Sequence, residues 1–396
     1  MKKIYLNVLA LYLGILSVFA QQPASIDSSA YRPRKLSFSE ANLVSAYYSQ
    51  DGNNSAVTGG IGTEQLTDIS TTIDVKWVRY DRKEREHNLT AELGVDHYTS
   101  ASSDMIDPAT ISSASRADNR IYPSLNYTVK NPAHGHTLGG SISYSHEYDY
   151  NSLGIGLQAA KSSADNNREI GIRAQVYLDQ WKVILPVELR TPGRESEGYT
   201  PRRTYSASLS YSQVINTRLQ AVLLLDVVAQ EGLLATRYQR VYFKDGSERA
   251  EELPAQRFKL PVGLRVHYFA GDRVVLRGAY RFYTDDWGLR AHTAEVEVPV
   301  KVTPYFSVSP FYRYYTQTAA DYFAPYAVQD PAARNYTSDY DLAALSSQYF
   351  GTGLRYLPEK GILGMKHWNM LELRYGHYLR SNSLHSDMVS MNLRFK

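Results

Sequence analysis

Apolar and polar residues alternate over long stretches of this chain, most clearly at 273–302. In the first arm of this stretch Leu276 and Tyr280 share one face of a strand, and Arg277 and Arg281 share the other. Successive side chains of a strand point to opposite faces, so the arm has one apolar and one charged face. The pattern predicts a β-strand that separates two very different environments.

The return arm repeats the pattern and completes a predicted β-hairpin. Val296 lies on an apolar face, and Glu295 and Glu297 lie on the opposite one. With the turn centred at 286–288, Arg277 lies opposite Glu297, within the distance of a cross-strand pair. In a soluble sandwich the charged face would meet water and the apolar face a core. In an outer-membrane barrel the apolar face meets lipid and the charged face lines the lumen.

The same alternation recurs along the chain in about sixteen segments of roughly 9 to 15 residues, the length of tilted membrane strands. The segments are 36–50, 67–80, 87–101, 119–130, 136–149, 151–162, 168–180, 201–214, 218–231, 255–269, 273–284, 288–301, 305–317, 347–357, 367–380 and 384–396. They predict an all-β fold, namely a transmembrane antiparallel up-and-down β-barrel of about sixteen strands. Fourteen strands is the alternative if the weak segments 119–130 or 151–162 fail to form.

The connections between these segments alternate between two sets, as expected for short periplasmic turns and long extracellular loops. The short set is 81–86, 131–135, 164–167, 216–217, 271–272, 303–304 and 358–366. The other set includes the long connections 51–66, 102–118, 232–254 and 318–346. Pro261, Pro299 and Pro310 fall inside predicted strands, where a missing N–H breaks the ladder. We expect Pro299 near the periplasmic rim and a bulge at Pro310.

The beginning of the chain predicts export. Lys2 and Lys3 precede an apolar run over 4–19, and Val18-Phe19-Ala20 fits a cleavage site. We therefore predict a signal peptide at 1–20, a periplasmic lead-in at 21–35 and one barrel domain at 36–396. No later run approaches the roughly 20 apolar residues of a spanning helix, so a membrane location requires a closed barrel.

Composition narrows the location and the partners. The absence of cysteine excludes disulfides, thiolate metal sites and cysteine nucleophiles. A net charge of +3 is too small to indicate nucleic acid binding. Thirty-three tyrosines against four tryptophans suit strands and the interfacial girdles of membrane barrels. We expect a porin-like protein of the Gram-negative outer membrane, in contact with lipid, lipopolysaccharide and the barrel-assembly machinery.

Five stretches carry a resemblance to a known family. They are YYSQDGNNSAVTGGIGTEQLTDIS (47–70), YSHEYDYNSLGIG (144–156), YRFYTDDWGLRAHT (280–293), YRYYTQTAADYFAPY (312–326) and YTSDYDL (336–342). Together they resemble the exported bacterial proteins catalogued as domain of unknown function 3570, over nearly the whole mature chain. The resemblance implies an outer-membrane barrel and no assigned activity. It also implies a genomic neighbourhood with a flavin transferase and a thioredoxin-like protein, hence a periplasmic flavinylated or thioredoxin-like partner.

The charges assigned to the inner face are the best candidates for a functional feature. The predicted lumen charge network consists of Arg277, Arg281, Glu295, Glu297, Arg313, Glu372 and Arg374. Further inward charges are Asp74, Lys76, Glu92, Asp96, Glu147, Arg173, Arg265 and Arg394. Two interpretations remain open: the charges line a polar channel, or they pair into a lattice that fills the bore of a scaffold for an extracytoplasmic redox system. Because the signs are mixed, strong ion selectivity is not predicted.

Other constellations give weaker candidates. Asp285 and Asp286 in the hairpin turn, with Asp339 and Asp341 in a long outer loop, could bind Ca²⁺, but Asp is also a common turn residue and no calcium-loop spacing is present. His134 and His136 could ligate a metal, but no third ligand is apparent. We assign no metal site and no cofactor.

Two alternatives to a channel or scaffold are an outer-membrane lipid hydrolase and a surface adhesin acting through the long loops. A hydrolase could use His377 and Ser381, but four residues along a strand separate them by roughly 13 Å. No Gly-x-Ser-x-Gly elbow is present. We therefore assign no catalytic residue and expect a non-enzymatic protein.

Overall fold

The computed structural model describes residues 33–99, 117–194 and 196–396. The predicted signal peptide, most of the lead-in and most of the predicted loop at 102–118 lie outside the described residues. The described strands are β1 (Ser37–Asp51), β2 (Leu66–Tyr80), β3 (Glu86–Thr99), β4 (Ala117–Asn131), β5 (His136–His146), β6 (Tyr150–Ser162), β7 (Arg168–Lys182), β8 (Tyr199–Asn216), β9 (Leu219–Gly232), β10 (Arg240–Tyr242), β11 (Glu248–Ala250), β12 (Gln256–Ala270), β13 (Val274–Asp285), β14 (Arg290–Glu297), β15 (Val300–Lys301), β16 (Phe306–Gln317), β17 (Leu345–Tyr356), β18 (Trp368–Arg380) and β19 (His385–Phe395). Three short 3₁₀ helices, Ala56–Thr58, Val187–Leu189 and Tyr340–Leu342, are the described helices.

The main sheet closes on itself into an antiparallel barrel. Each wall strand pairs with its neighbours along the chain, and β1 pairs with both β2 and β19. Counting β14 and β15 as two halves of one strand, and leaving out the separate hairpin β10–β11, the wall has sixteen strands. The prediction of sixteen is confirmed and the fourteen-strand alternative is wrong, because the weak segments form β4 and β6 in full register with their neighbours.

Two prolines on neighbouring strands, at adjacent positions of the ladder, explain why one wall strand is split. The bulge expected at Pro310 is absent, because the register of β14 and β15 against β16 is unbroken from Glu297 opposite Phe311 to Val300 opposite Val308. The Val298 N–H donates to the Pro310 oxygen at 2.9 Å, but proline has no N–H to return. Pro299 lies just before β15 and the turn at 302–305, near the periplasmic rim as expected.

The two faces of the wall can be assigned from contacts between strands that are not neighbours. Arg374 on β18 lies 3.1 Å from Glu297 on β14, across β16 and β17. Side chains converge in this way only on the concave side of a barrel, so these charges face the lumen. Cross-strand partners share a face, and the alternate positions therefore point outward.

The outward positions form an apolar exterior. Leu138, Leu157 and Ile172 are 64%, 68% and 57% exposed, whereas large aliphatic side chains of soluble proteins are usually buried in a core. An apolar exterior around a polar lumen is the arrangement of an outer-membrane barrel, and the protein is therefore located in the outer membrane. None of the helices in the described residues has the length and apolar character needed to cross a membrane.

The two ends of the barrel differ in their connections. All the predicted short turns are confirmed. They lie at the end of the barrel where β1 begins, at Ser37, and β19 ends, at Phe395. Phe395 packs edge to face on Phe38 and Trp368, with ring centroids 5.7 and 5.3 Å apart, which joins the first and last strands. At the opposite end the connections are not uniformly long, because those at 147–149, 286–289 and 381–384 are tight.

Candidate functional site: the capped lumen

The seven residues of the predicted lumen charge network lie on the inner face, and each takes part in an ion pair. Arg277 lies opposite Glu297, as the hairpin pattern predicts, with Nη1 3.1 Å from Oε2. Arg374 joins Glu297 to Glu372 at 3.1 and 3.2 Å. This group of four charges spans β13 to β18 on the wall.

Small residues make room for the longest of these contacts. Arg374 crosses the wall over the ring of Phe311, with its guanidinium carbon 5.2 Å from the ring centroid. A Cβ on Gly351 would lie 2.9 Å from Cζ of Phe311, and one on Gly353 would lie 3.3 Å from Cγ of Arg374. The glycines therefore leave the space that Phe311 and Arg374 need.

The remaining predicted charges form separate pairs. Arg313 lies 2.7 Å from Glu295, and Arg281 lies 3.7 Å from Asp226, which the sequence did not single out. The seven residues thus form three groups and not one lattice. Because Arg281 and Arg313 are 57% and 45% exposed to the lumen, their charges remain available to water and solutes.

A cavity of about 950 Å³ occupies the outer part of the lumen. Its wall residues are aromatic and polar, and its outer boundary is formed by loops. The wall contributes Tyr48, Tyr98, Arg313, Tyr315, Tyr349, Tyr378 and Arg380 among others, and the loops contribute Val57, Tyr238, Gln239, Asp339 and Asp341 among others. A polar, water-accessible space therefore lies directly beneath the extracellular loops.

These loops pack against each other into a cap, which we define as the segments 52–65, 233–255 and 318–344. Phe243, from the small hairpin β10–β11, is 1% exposed, and its ring packs on Tyr336 at 4.9 Å. The backbones of Glu252 and Tyr336 exchange hydrogen bonds of 3.2 and 2.7 Å. The cap therefore has its own apolar core and its own backbone pairing.

Arg240 joins the segments of the cap to each other and to the loop between β7 and β8. Its Nη1 donates to the Val57 oxygen at 2.8 Å, and its Nε lies 2.5 Å from Glu188 and 3.2 Å from Glu248. Its own carbonyl oxygen accepts from the Ser338 hydroxyl at 2.6 Å. The side chain, which is 12% exposed, thus joins the segment 233–255 to the segment 52–65 and to the loop at 183–198, and the backbone carbonyl of the same residue joins it to the segment 318–344.

A buried carboxyl lies inside the cap. Glu251 is 2% exposed and accepts hydrogen bonds from the Thr337 hydroxyl and the Thr236 N–H, both at 2.5 Å. Burial, together with the nearby carboxylate of Asp339, raises the pKa of Glu251 to about 8. The cap therefore contains a carboxyl that is largely protonated near neutral pH.

Three carboxylates converge at the loop end of the barrel, at a position that the sequence did not single out as a site. Asp118 begins β4, and Glu147 and Asp149 lie in the tight turn between β5 and β6; one oxygen of each lies within 4.8 Å of the others. Burial and the two neighbouring carboxylates raise the pKa of Asp149 to about 6. The sequence showed Glu147 only as an inward charge, because the register that brings Asp118 to this turn is a tertiary property.

The other acidic candidates have structural partners. Asp285 pairs with Arg257 at 2.5 Å and accepts from the N–H groups of Trp287 and Leu289, which is the behaviour of a turn residue. Asp341 pairs with Arg380 at 2.7 Å. These carboxylates serve to hold the turn and the cap.

The histidine candidates are not brought to a common centre. Lys161 Nζ lies 2.5 Å from the His134 oxygen and 3.2 Å from Nε2 of His136, so a cation already lies beside this turn. His377 Nδ1 lies 2.8 Å from Asp387 on the outward face, and the Ser381 hydroxyl accepts from the Ser346 N–H at 3.0 Å. His377 and Ser381 thus bond different partners.

Taken together, the closed sixteen-stranded wall, the apolar exterior and the polar lumen define a porin-like outer-membrane β-barrel. The chain belongs to the family described as protein of unknown function DUF3570, whose model matches residues 96–387. This confirms the resemblance seen in the sequence.

Several solved outer-membrane proteins are similar in fold. OpdK of Pseudomonas aeruginosa, crystallised with vanillate, is 9% identical, with 92% of this chain and 99% of that chain covered and a TM-score of 0.42. A BenF-like porin from Pseudomonas fluorescens Pf-5 is 11% identical, with 90% and 98% covered and a TM-score of 0.43. The siderophore receptor PirA from Acinetobacter baumannii is 10% identical, with 87% and 53% covered and a TM-score of 0.48. No curated protein matches the sequence.

Proposed function

We propose that the protein is an outer-membrane channel for small polar solutes whose extracellular mouth is covered by the cap. The observation that carries this proposal is the cavity of about 950 Å³ that the charged, tyrosine-rich wall and the cap enclose together. A scaffold with a filled bore would place packed side chains there. The exposed guanidiniums of Arg281 and Arg313 favour a wet lumen.

The charge pattern indicates what kind of channel this would be. Arginines and carboxylates pair along the inner wall from β13 to β18, whereas Asp74 lies opposite Glu92 on β2 and β3. Because both signs line the lumen, we expect weak ion selectivity. Passage through the outer mouth requires the cap to move or to leave a path beside it. The proposed channel is therefore weakly selective, and its mouth is open in only part of the molecules at any time.

The test is the conductance of the purified protein in planar bilayers. A variant with Arg313→Gln leaves Glu295 unpaired on the lumen wall. At a distance of about 8 Å through water, one unit of charge changes the energy of an ion by about 0.5 kcal/mol, or about two-fold in permeability ratio. We expect the reversal potential of this variant to shift toward cations by that amount.

The matched control is Arg203→Gln. Arg203 also pairs across strands with a glutamate, Glu231 at 3.3 Å, but it lies on the outward face of the wall with Leu209 and Tyr205. Its loss should leave the reversal potential unchanged. Equal shifts in both variants would contradict the assignment of faces.

A folded, heat-modifiable protein that never conducts, even without the cap contacts of Arg240, would overturn the channel proposal. In that case the scaffold hypothesis would take its place, with periplasmic flavinylated or thioredoxin-like proteins as the partners to test.

A further inference from the structure

We propose that Asp118, Glu147 and Asp149 bind a divalent cation, Ca²⁺, at the extracellular rim of the lumen. One oxygen of each residue lies within 4.8 Å of the other two. Ca²⁺–oxygen bonds of about 2.3–2.6 Å place ligands on opposite sides of the ion at most about 5 Å apart. The three oxygens are therefore close enough to share one ion.

Asp149 is the observation that separates this group from an ordinary acidic patch. It is 4% exposed, yet its carboxylate accepts no hydrogen bond from another residue within the described part of the chain. An ionised carboxyl that is removed from water is costly unless it is paired or coordinates a metal. The carboxylate of Asp149 points at the two other carboxylates, which would repel it without a cation between them.

The partners of the other two ligands position them without neutralising the group. Asp118, also 4% exposed, accepts from the N–H groups of Asn119 and Tyr148 at 2.7 and 3.3 Å. Glu147 accepts from the Tyr98 hydroxyl at 2.6 Å, and Arg120 lies 3.5 Å away. Arg120 forms an ion pair with the group, and the charge of Lys182 also acts on Asp149, so these two cations face three carboxylates.

The donor set determines the chemical class of the ion. All three ligands are carboxylates, which suit hard cations and not Zn²⁺ or Cu²⁺. The ligands come from a strand end and from a tight turn and are not arranged on an octahedral frame, so Ca²⁺, which tolerates irregular geometry, is favoured over Mg²⁺. An ion here would tie the turn between β5 and β6 to β4 and lower the negative charge at the rim.

The test uses Tb³⁺ as a luminescent substitute for Ca²⁺. The Tyr98 hydroxyl bonds Glu147 directly, so excitation of tyrosine in the full-length mature barrel in detergent should sensitise the emission of a bound Tb³⁺. We expect Ca²⁺ to displace the signal with an affinity on the order of 10⁻⁴ M. Asp149→Asn and Glu147→Gln should each weaken the binding at least ten-fold.

Asp165→Asn is the control, because Asp165 is an exposed carboxylate in the turn between β6 and β7 at the other end of the barrel. A signal that Ca²⁺ does not displace, or one that all three variants retain equally, would overturn the proposal. Folding is checked separately by heat-modifiability and thermal unfolding without metal. There Asp149→Asn should be at least as stable as the wild type, because it relieves repulsion, but it should gain no stability from Ca²⁺. A wild type that Ca²⁺ fails to stabilise would also count against the site.

Discussion

Replacing Arg240 with alanine should loosen the cap while leaving the barrel wall intact. The guanidinium holds the segment 52–65 through the Val57 oxygen and the loop at 183–198 through Glu188. Its removal also leaves Glu188 and Glu248 side by side without a cation. The change therefore removes attraction and adds repulsion in the same place.

The size of the effect follows from the burial of the pair. Removing one partner of a fully buried ion pair costs about 3–5 kcal/mol. The side chain of Arg240 is 12% exposed but that of Glu188 is 39% exposed, so solvent screens part of the interaction. A loss of about 2 kcal/mol in the free energy of cap opening corresponds to an open population about 30-fold larger.

Hydrogen exchange read by mass spectrometry, together with single-channel recording, measures this population. Peptides from 52–65 and 233–255 should exchange about 30-fold faster in the Arg240→Ala variant, and the open time of the channel should increase. Arg334→Ala is the control, because Arg334 is an exposed arginine of the same cap with no ion pair to any described residue. Unchanged exchange in both peptides would refute the view that Arg240 holds the cap. Faster exchange with unchanged conductance would show that the cap does not control passage.

Two further predictions concern the cap and the wall. Because the pKa of Glu251 is about 8 in the folded cap and about 4.5 in an open chain, the folded cap binds the extra proton between these values and loses stability as the pH rises through them. Exchange at Thr236, corrected for its intrinsic rate, should therefore be faster at high pH. Glu251→Gln should reduce this dependence, and the part that remains should come from Asp339, whose pKa burial raises to about 7; a variant that keeps the dependence in full would contradict the role of Glu251. Gly351→Ala should destabilise the wall by about 1–3 kcal/mol, since its Cβ would lie 2.0 Å from the Tyr375 oxygen, whereas Gly278→Ala has no atom within 4 Å and should have little effect. The denaturant concentration at the midpoint of unfolding, followed by heat-modifiability, is measured for both glycine variants. Equal midpoints would contradict the steric explanation.

The sequence by itself determined the architecture of this protein. In every wall strand the side chains alternate between two faces. In β13 this alternation directs Leu276 and Tyr280 to lipid and Arg277 to the lumen, and it depends only on the residues of the strand itself. Even the pairing of Arg277 with Glu297 could be predicted, because a tight turn sets the register of a hairpin from neighbouring residues alone.

Only the tertiary structure decided the features that depend on distant parts of the chain. Arg374 reaches Glu297 because the wall is closed and concave, and Arg240 meets Val57 because the long loops fold over one mouth. Asp118 and Asp149 meet because two strands pair in one particular register. The residue pattern of a loop does not predict which other loops it contacts. Closure of the barrel, and not the alternation of residues along it, therefore determines the cap, the cavity beneath it and the carboxylate group at its rim.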